Sequence, residues 1–279
     1  DLAKKYLDEI HATVTQPWNI MEVCGGQTHS LVKNGIMDLL PKEVQMIHGP
    51  GCPVCICPEE DIAYAIHLAI NENVVIVSFG DMLRVPVEYE ISGCSSLIDA
   101  KNQGADIRPI SSPQEAVSIA LEEPRKVIVF FAVGFETTAP ANALSVLHAE
   151  KEGISNYSIL ASHVLVPPAM EAILDDQFCT IDAFLAAGHV CAIMGIQEYY
   201  PLVDKYKIPI VVTGFEPLDL VQGIYMAVKQ LEEGQYKLEN QYSRIVKEQG
   251  NKAAIDVIQK VFEIGNREWR GIGEIPNSG

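Results

Sequence analysis

Apolar runs of about four to seven residues recur along the chain. They end at Gly, Cys, His or an acidic residue, and most give way to a helical period. The first, Asn19-Ile-Met-Glu-Val23, meets Cys-Gly-Gly and then a helix through Leu31, Ile36 and Leu39–Leu40. Val44 to Ile47 precedes His48-Gly-Pro-Gly-Cys-Pro-Val-Cys55 and a helix from about Glu59 through Ile70, with Pro58 suited to the first helical turn and an acidic start that favours the dipole. Val74 to Phe79 runs into Gly80-Asp81. After Pro124, Val127 to Val133 leads to Gly134-Phe-Glu-Thr-Thr-Ala-Pro140 and a helix to about Lys151. Tyr157–Ala161 then ends at Ser162-His163, Ala183–Leu185 at Gly188-His189, and Ile208–Val212 at Thr213-Gly-Phe-Glu-Pro217; the tail from about Ile224 reads as helical.

Buried strands alternating with helices predict an α/β fold with parallel sheets, whose ligands sit at the carboxyl ends of the strands. The expected architecture is two doubly wound, Rossmann-like parallel-sheet domains facing across a cleft. Residues 1–123 would carry the cysteine loops, 124–235 the second domain, and 236–279 a helical segment returning toward the first. Cys24, Cys52, Cys55 and Asp81 fall just past strand ends in the first half; Glu136, His163, His189 and Glu216 do so in the second.

Composition narrows the classes of function. Of 279 residues, 20 are Lys or Arg and 37 are Asp or Glu, so the net charge of −17 disfavours a phosphate backbone as partner. No apolar run approaches the roughly 20 residues of a membrane span, nothing resembles a signal peptide, and the chain opens on Asp1 rather than Met, so a cytoplasmic fragment is expected. Seven cysteines, odd in number and clustered early, suggest metal or redox chemistry rather than a disulfide framework.

Cys52-Pro-Val-Cys55 brings two sulfurs within bridging reach before a helix, whose amino terminus favours thiolate; a zinc half-site with Cys24 or Cys57 is the rival reading. At Cys24, Gly25 and Gly26 let a ligand approach the backbone, and a thiolate suits a soft metal; a structural cysteine is an equal alternative. His29 can orient a ligand or accept a proton, or simply be hydrogen-bonded. Glu136, Thr137 and Thr138 offer an acid and two hydroxyls at a helix start, or plain capping. Cys94, Cys179 and Cys191 read as packing residues. Neither a dinucleotide fingerprint, nor a phosphate loop, nor a Gly-x-Ser-x-Gly elbow is present.

These strings resemble the HypD family of nickel–iron hydrogenase maturation factors. The resemblance rests on Met21-Glu-Val-Cys-Gly-Gly-Gln-Thr-His29, His48-Gly-Pro-Gly-Cys-Pro-Val-Cys55, Ser78-Phe-Gly-Asp-Met-Leu-Arg-Val-Pro86 and Ala132-Val-Gly-Phe-Glu-Thr-Thr-Ala-Pro140. Ser162-His163, Val166-Pro-Pro-Ala169, Gly188-His-Val190, Gly214-Phe-Glu-Pro217, Asn240-Gln-Tyr242 and Trp269-Arg-Gly-Ile-Gly273 extend it. It implies a scaffold that works with a small partner, HypC, to assemble an iron carrying two cyanides and one carbon monoxide. HypE would deliver the cyanide, and the hydrogenase large-subunit precursor would receive the product. By that resemblance Cys24 is the iron ligand shared with HypC, and Cys52 and Cys55 are a redox pair. His29 and Glu136 would act beside them, with Gly25, Gly26, Asp81, Thr137, Thr138, His163 and His189 around the bound group. The resemblance also implies a four-iron four-sulfur cluster, whose cysteines would lie beyond Gly273 and are not in this sequence. Gln27 stands where the family often has His, Val87 where it commonly has Gly, and Cys191 where Ser or Val is usual. A thiol–disulfide oxidoreductase and a zinc-stabilised binding module are the alternative functions. HypC and HypE would dock where strand ends converge, on loops carrying Met82, Val85, Pro86 and Phe135.

Overall fold

The computed structural model describes residues 2–72 and 74–279. In chain order its elements are α1 (Leu2–Thr13), β1 (Trp18–Glu22), α2 (Gly25–Lys33), α3 (Ile36–Leu39), β2 (Val44–His48), α4 (Glu59–Asn71), β3 (Val75–Phe79), α5 (Leu97–Asn102), β4 (Ile107–Ile110), α6 (Pro113–Glu122), β5 (Ile128–Gly134) and α7 (Ala139–Lys151). There follow β6 (Tyr157–His163), α8 (Val166–Leu174), β7 (Ala183–Ala187), α9 (Gly188–Met194), α10 (Tyr200–Tyr206), β8 (Ile210–Thr213), α11 (Pro217–Glu232), β9 (Leu238–Asn240), α12 (Lys252–Val261), β10 (Arg267–Trp269) and β11 (Gly273–Ile275). No described helix is long and apolar enough to cross a membrane.

The chain forms two compact units, Asp1–Cys52 with Val166–Lys252, and Pro53–Leu165 with Ala253–Gly279. In the first, a parallel sheet runs β2-β1-β7-β8-β9. One of its faces packs Ile20, Met46, Leu185 and Val211 against Ile10 of α1, Leu31 of α2 and Leu220, Ile224 and Val228 of α11. The Glu232 carboxylate, at the end of α11, accepts hydrogen bonds from the Thr15 amide (2.8 Å) and the Trp18 indole (2.7 Å), which fixes the turn into β1. In the second unit a parallel sheet runs β4-β3-β5-β6. Every residue of β5 is buried: Val129, Phe131 and Val133 enter one apolar cluster, and Ile128, Phe130 and Ala132 another. Burial on both faces is why this strand reads as an unbroken apolar run. β10 and β11 form an antiparallel hairpin.

The two Rossmann-like parallel sheets are as expected, and each expected strand lies within two residues of its place. The division of the chain differs. A boundary at 123/124 would separate β3 from β5, which are hydrogen-bonded neighbours, and β1 pairs with β7 far along the chain. Neither 1–123 nor 124–235 is therefore a unit, because each sheet draws strands from both. The first crossing falls between Cys52 and Pro53, inside the Cys-x-x-Cys motif. The segment 236–279 is not a helical whole: α11 ends at Glu232, and β9, α12 and the hairpin follow, shared between the units. Pro58 occupies the N-cap of α4 rather than its first turn. The first long helix is broken into α2 and α3 at Gly35, whose φ of 61° is left-handed.

Candidate functional site

In the first unit the strand order reverses between β1 and β7; Cys24 follows the carboxyl end of β1, and His189 lies in the first turn of α9, which starts directly after β7. Such a switch point is the usual ligand crevice of a doubly wound sheet. Cys24 is the N-cap of α2: its backbone is extended, and its Sγ accepts a hydrogen bond from the Gly26 amide at 3.3 Å. Only 7% of the residue is exposed, whereas Gly25 and Gly26 are open to solvent. His189 Nε2 lies 3.8 Å from the Cys24 sulfur, and its ring meets Phe215 edge-on at 4.8 Å. Burial pushes the Cys24 thiol up. The Gly26 and Gln27 amides pull it back, while the Glu22 and Cys52 charges push it up. Burial also lowers the His189 pKa, which keeps its imidazole neutral.

The loop Gly49–Cys52 is sealed onto this site by close backbone approach. The Gly25 amide donates to the Gly51 carbonyl (3.0 Å), and the Gly49 amide to the Glu22 carbonyl (2.8 Å). A Cβ on Gly51 would lie 2.4 Å from the Cys24 Cα. Beside the loop is a cavity of about 460 Å³ lined by Gly25, Thr28, His29, Val32, Gly49, Gly51 and Cys52. Cys24, Gly25, Gly26, His29, Cys52 and His189 thus occupy the same unit and the same edge of its sheet, whereas the sequence reading put His189 in the second domain and Cys55 in the first.

Two residues absent from the expected site belong to it. Glu22 is fully buried, and its carboxylate accepts from the Cys24 amide (3.1 Å), the Thr28 hydroxyl and His48 Nδ1 (2.6 Å). Burial raises its pKa, opposed by these hydrogen bonds. An acidic residue inside a buried strand, two positions before the cysteine, is the signal that marks it. Gln27 is also fully buried, and its side-chain amide donates to Thr213 Oγ1 (2.7 Å) and the Ala186 carbonyl (3.2 Å), bracing α2 against β7 and β8.

The second unit holds Cys55, Asp81, Glu136, Thr137, Thr138 and His163. Its own strand order reverses between β3 and β5, where Asp81 and Glu136 leave adjacent strand ends. Asp81 accepts from the Met82 amide (2.9 Å) and caps a single 3₁₀ turn. Glu136 is buried, and Thr138 sits at the N-cap of α7 without capping it; its hydroxyl turns back to the Phe135 carbonyl at 3.2 Å. The Thr138 side chain therefore does not cap α7. His163 Nε2 faces Asn142 Nδ2 at 2.6 Å and its ring stacks on Phe262; burial first, then Arg267, lowers its pKa to about 4. Met82 and Phe135 are buried and offer no docking surface, while Pro86 is exposed. α4 begins at Glu59, so neither Cys52 nor Cys55 lies in its first turn. Cys94 and Cys191 are buried and Cys179 half-buried; no disulfide joins any of the seven cysteines.

The sequence as a whole decides the family: residues 1–279 match the profile described as "HypD: Hydrogenase formation hypA family". The chain belongs to the HypD family. It is 42% identical over 273 residues to the hydrogenase maturation factor HypD of Rhodobacter capsulatus, an alignment covering 98% of this chain and 71% of that protein. The HypD factor of Azotobacter vinelandii is 44% identical over 267 residues (94% of this chain, 69% of the relative). That of Escherichia coli K12 is 42% identical over 268 residues (96% and 70%). Against the cluster implied by the HypD resemblance, the residues present do not fit. Among the described residues no group of three or more His, Cys, Asp or Glu is arranged to hold a metal ion, so no four-thiolate cage is formed.

Proposed function

We propose that this chain is an assembly scaffold on which, together with HypC, an iron bearing two cyanides and one carbon monoxide is built for a nickel–iron hydrogenase large-subunit precursor, with HypE supplying the cyanide. The iron is cargo. Cys24 contributes one thiolate, and the remaining protein ligand would come from HypC. The observation that carries this reading is the Cys24 sulfur at the β1/β7 switch point, held by the Gly26 amide and flanked by two exposed glycines that leave room for a second chain. A single soft thiolate suits low-spin iron shared between two proteins better than it suits a resident metal centre.

The surrounding residues have definable parts in this scheme. A thiol raised by burial sheds its proton when a metal binds, and the neutral His189 imidazole 3.8 Å away is placed to take it. Glu22 fixes the Cys24 amide, and Gln27 holds α2 on the sheet. Cys52, at the rim of the cavity, pairs with Cys55 as a dithiol that supplies electrons during assembly. His29 faces the same cavity, while Asp81, Glu136, Thr137, Thr138 and His163 furnish polar groups at the edge of the second sheet. A structural zinc site needs four ligands, and the described residues form no such group. The test is co-purification with HypC, followed by metal analysis and infrared spectroscopy. Bound iron with cyanide and carbonyl stretches supports the scaffold. Zinc alone supports a binding module, and turnover of protein disulfides without retained iron supports an oxidoreductase.

A further inference from the structure

We propose that Arg270 is a positioning residue for the Cys52–Cys55 couple, bracing from the β10–β11 hairpin the loop that bears Cys55. The proposal rests on the redox-pair reading above. Residues 53–56 form a turn, and the chain beyond it is pinned step by step within the second unit. The Arg270 amide donates to the Ile56 carbonyl at 2.9 Å. Its guanidinium Nη2 donates to Glu59 Oε1 (2.6 Å) and to the Pro86 carbonyl (2.8 Å). The other Glu59 oxygen accepts from the Glu88 amide at 2.8 Å. Arg267 adds an ion pair with Asp61 and a bond to the Ala161 carbonyl (3.1 Å). The hairpin itself is anchored: Trp269 is fully buried, and its indole donates to Ser278 Oγ at 2.9 Å.

Three segments distant in sequence, Cys-Pro-Val-Cys55, Arg84-Val-Pro86 and Trp269-Arg-Gly-Ile-Gly273, therefore meet in one hydrogen-bond network. Any residue but proline at 270 can supply the amide. The guanidinium Nη2 joins the Glu59 carboxylate and the Pro86 carbonyl, and its planar, rigid donor geometry fixes both more firmly than a flexible ammonium would. A disulfide of S–S length about 2.05 Å needs both sulfurs held within a narrow geometry. A loop fixed on its Cys55 side meets that requirement more often than a free one.

The step is a balanced exchange with glutathione disulfide. The glutathione S–S bond breaks, a Cys52–Cys55 bond forms, and two electrons pass from the protein thiols to two released glutathione thiols, which also receive the two protons. The experiment equilibrates the 279-residue chain carrying Cys24→Ser at graded glutathione ratios and reads the pair by alkylation and mass. Arg270→Ala should lower the equilibrium constant for disulfide formation about tenfold, a shift of about 30 mV, and Arg270→Lys should fall between. Glu59→Ala should mimic Arg270→Ala, and the double variant should add nothing further. Unreactive Cys94 and Cys191 serve as the check of folding. If Arg270→Ala fails that check, Arg270→Lys and Glu59→Ala still decide. Wild-type constants in the variants, or additive effects, overturn the brace while leaving the pair intact. A wild-type chain that never forms the disulfide overturns the redox reading itself.

Discussion

Gly51→Ala isolates the packing that holds the cysteine loop against Cys24. The new methyl would lie 2.4 Å from the Cys24 Cα, 2.5 Å from its N and 2.7 Å from its carbonyl carbon, all backbone atoms that cannot swing aside. Reaching ordinary contact requires the loop to retreat by about 1 Å, which also breaks the 3.0 Å bond from the Gly25 amide to the Gly51 carbonyl. Overpacking costs about 1–3 kcal/mol and the lost hydrogen bond about 1 kcal/mol. The sum, about 2–4 kcal/mol, should lower the thermal midpoint of a chain this size by about 3–7 °C. Gly25→Ala is the matched control. That glycine donates the same hydrogen bond, yet a Cβ there meets only the Gly51 carbonyl oxygen at an ordinary 3.7 Å, at the first residue of α2 where alanine favours helix. Differential scanning calorimetry of both variants, with the rate of Cys24 alkylation, reads the effect. A Gly51→Ala midpoint within about 2 °C of the Gly25→Ala midpoint would refute the reasoning, since the close approach would then carry no cost.

Glu22→Ala leaves the buried Cys24 amide without its acceptor and should destabilise the chain by about 2–4 kcal/mol, with Glu22→Gln milder; urea unfolding checks both. His163 titrates at about 4 when folded against 6.5 for the free side chain, so the unfolded chain binds the proton first as pH falls. Its contribution to stability is whole above pH 6.5 and declines toward pH 4, by about 3 kcal/mol in total; His163→Gln should flatten the stability profile across that window. Anaerobic reconstitution of this chain with iron and sulfide should leave no stoichiometric four-iron cluster by absorption and acid-labile sulfide, because no four thiolates converge.

How much of this is legible in the sequence depends on whether the cause is local. β5 and β7 are buried throughout, so apolar runs mark them directly, and Cys24, Asp81, Glu136 and His189 follow from their places at strand ends. β4 is harder to see, since Arg108 and Pro109 interrupt Ile107–Ile110; a proline is tolerated there because the strand lies at the sheet edge. The partition into units escapes the pattern altogether. Pairing of Ile20 with Ala183 or Val75 with Ile128 is a tertiary choice that no local period encodes. Glu22 reads, like Asn19, as a polar residue in a largely apolar strand, and the three partners of its carboxylate come from the chain beyond it, the furthest being His48. Trp269-Arg-Gly-Ile-Gly273 stands out as a motif, yet its contacts with Ile56, Glu59 and Pro86 appear only once the hairpin folds back onto the second unit.

The most direct test of the scaffold is Cys24→Ala in the HypC complex. The substitution removes one nearly buried sulfur and leaves Glu22, Gln27 and the sheet in place, so the variant should fold and still co-purify with HypC. Infrared spectra of the wild-type complex should show cyanide and carbonyl stretches on bound iron, and the variant complex should show neither and retain no iron. Cyanide and carbonyl bands of wild-type intensity in the Cys24→Ala complex would contradict the assignment of Cys24 as the iron ligand.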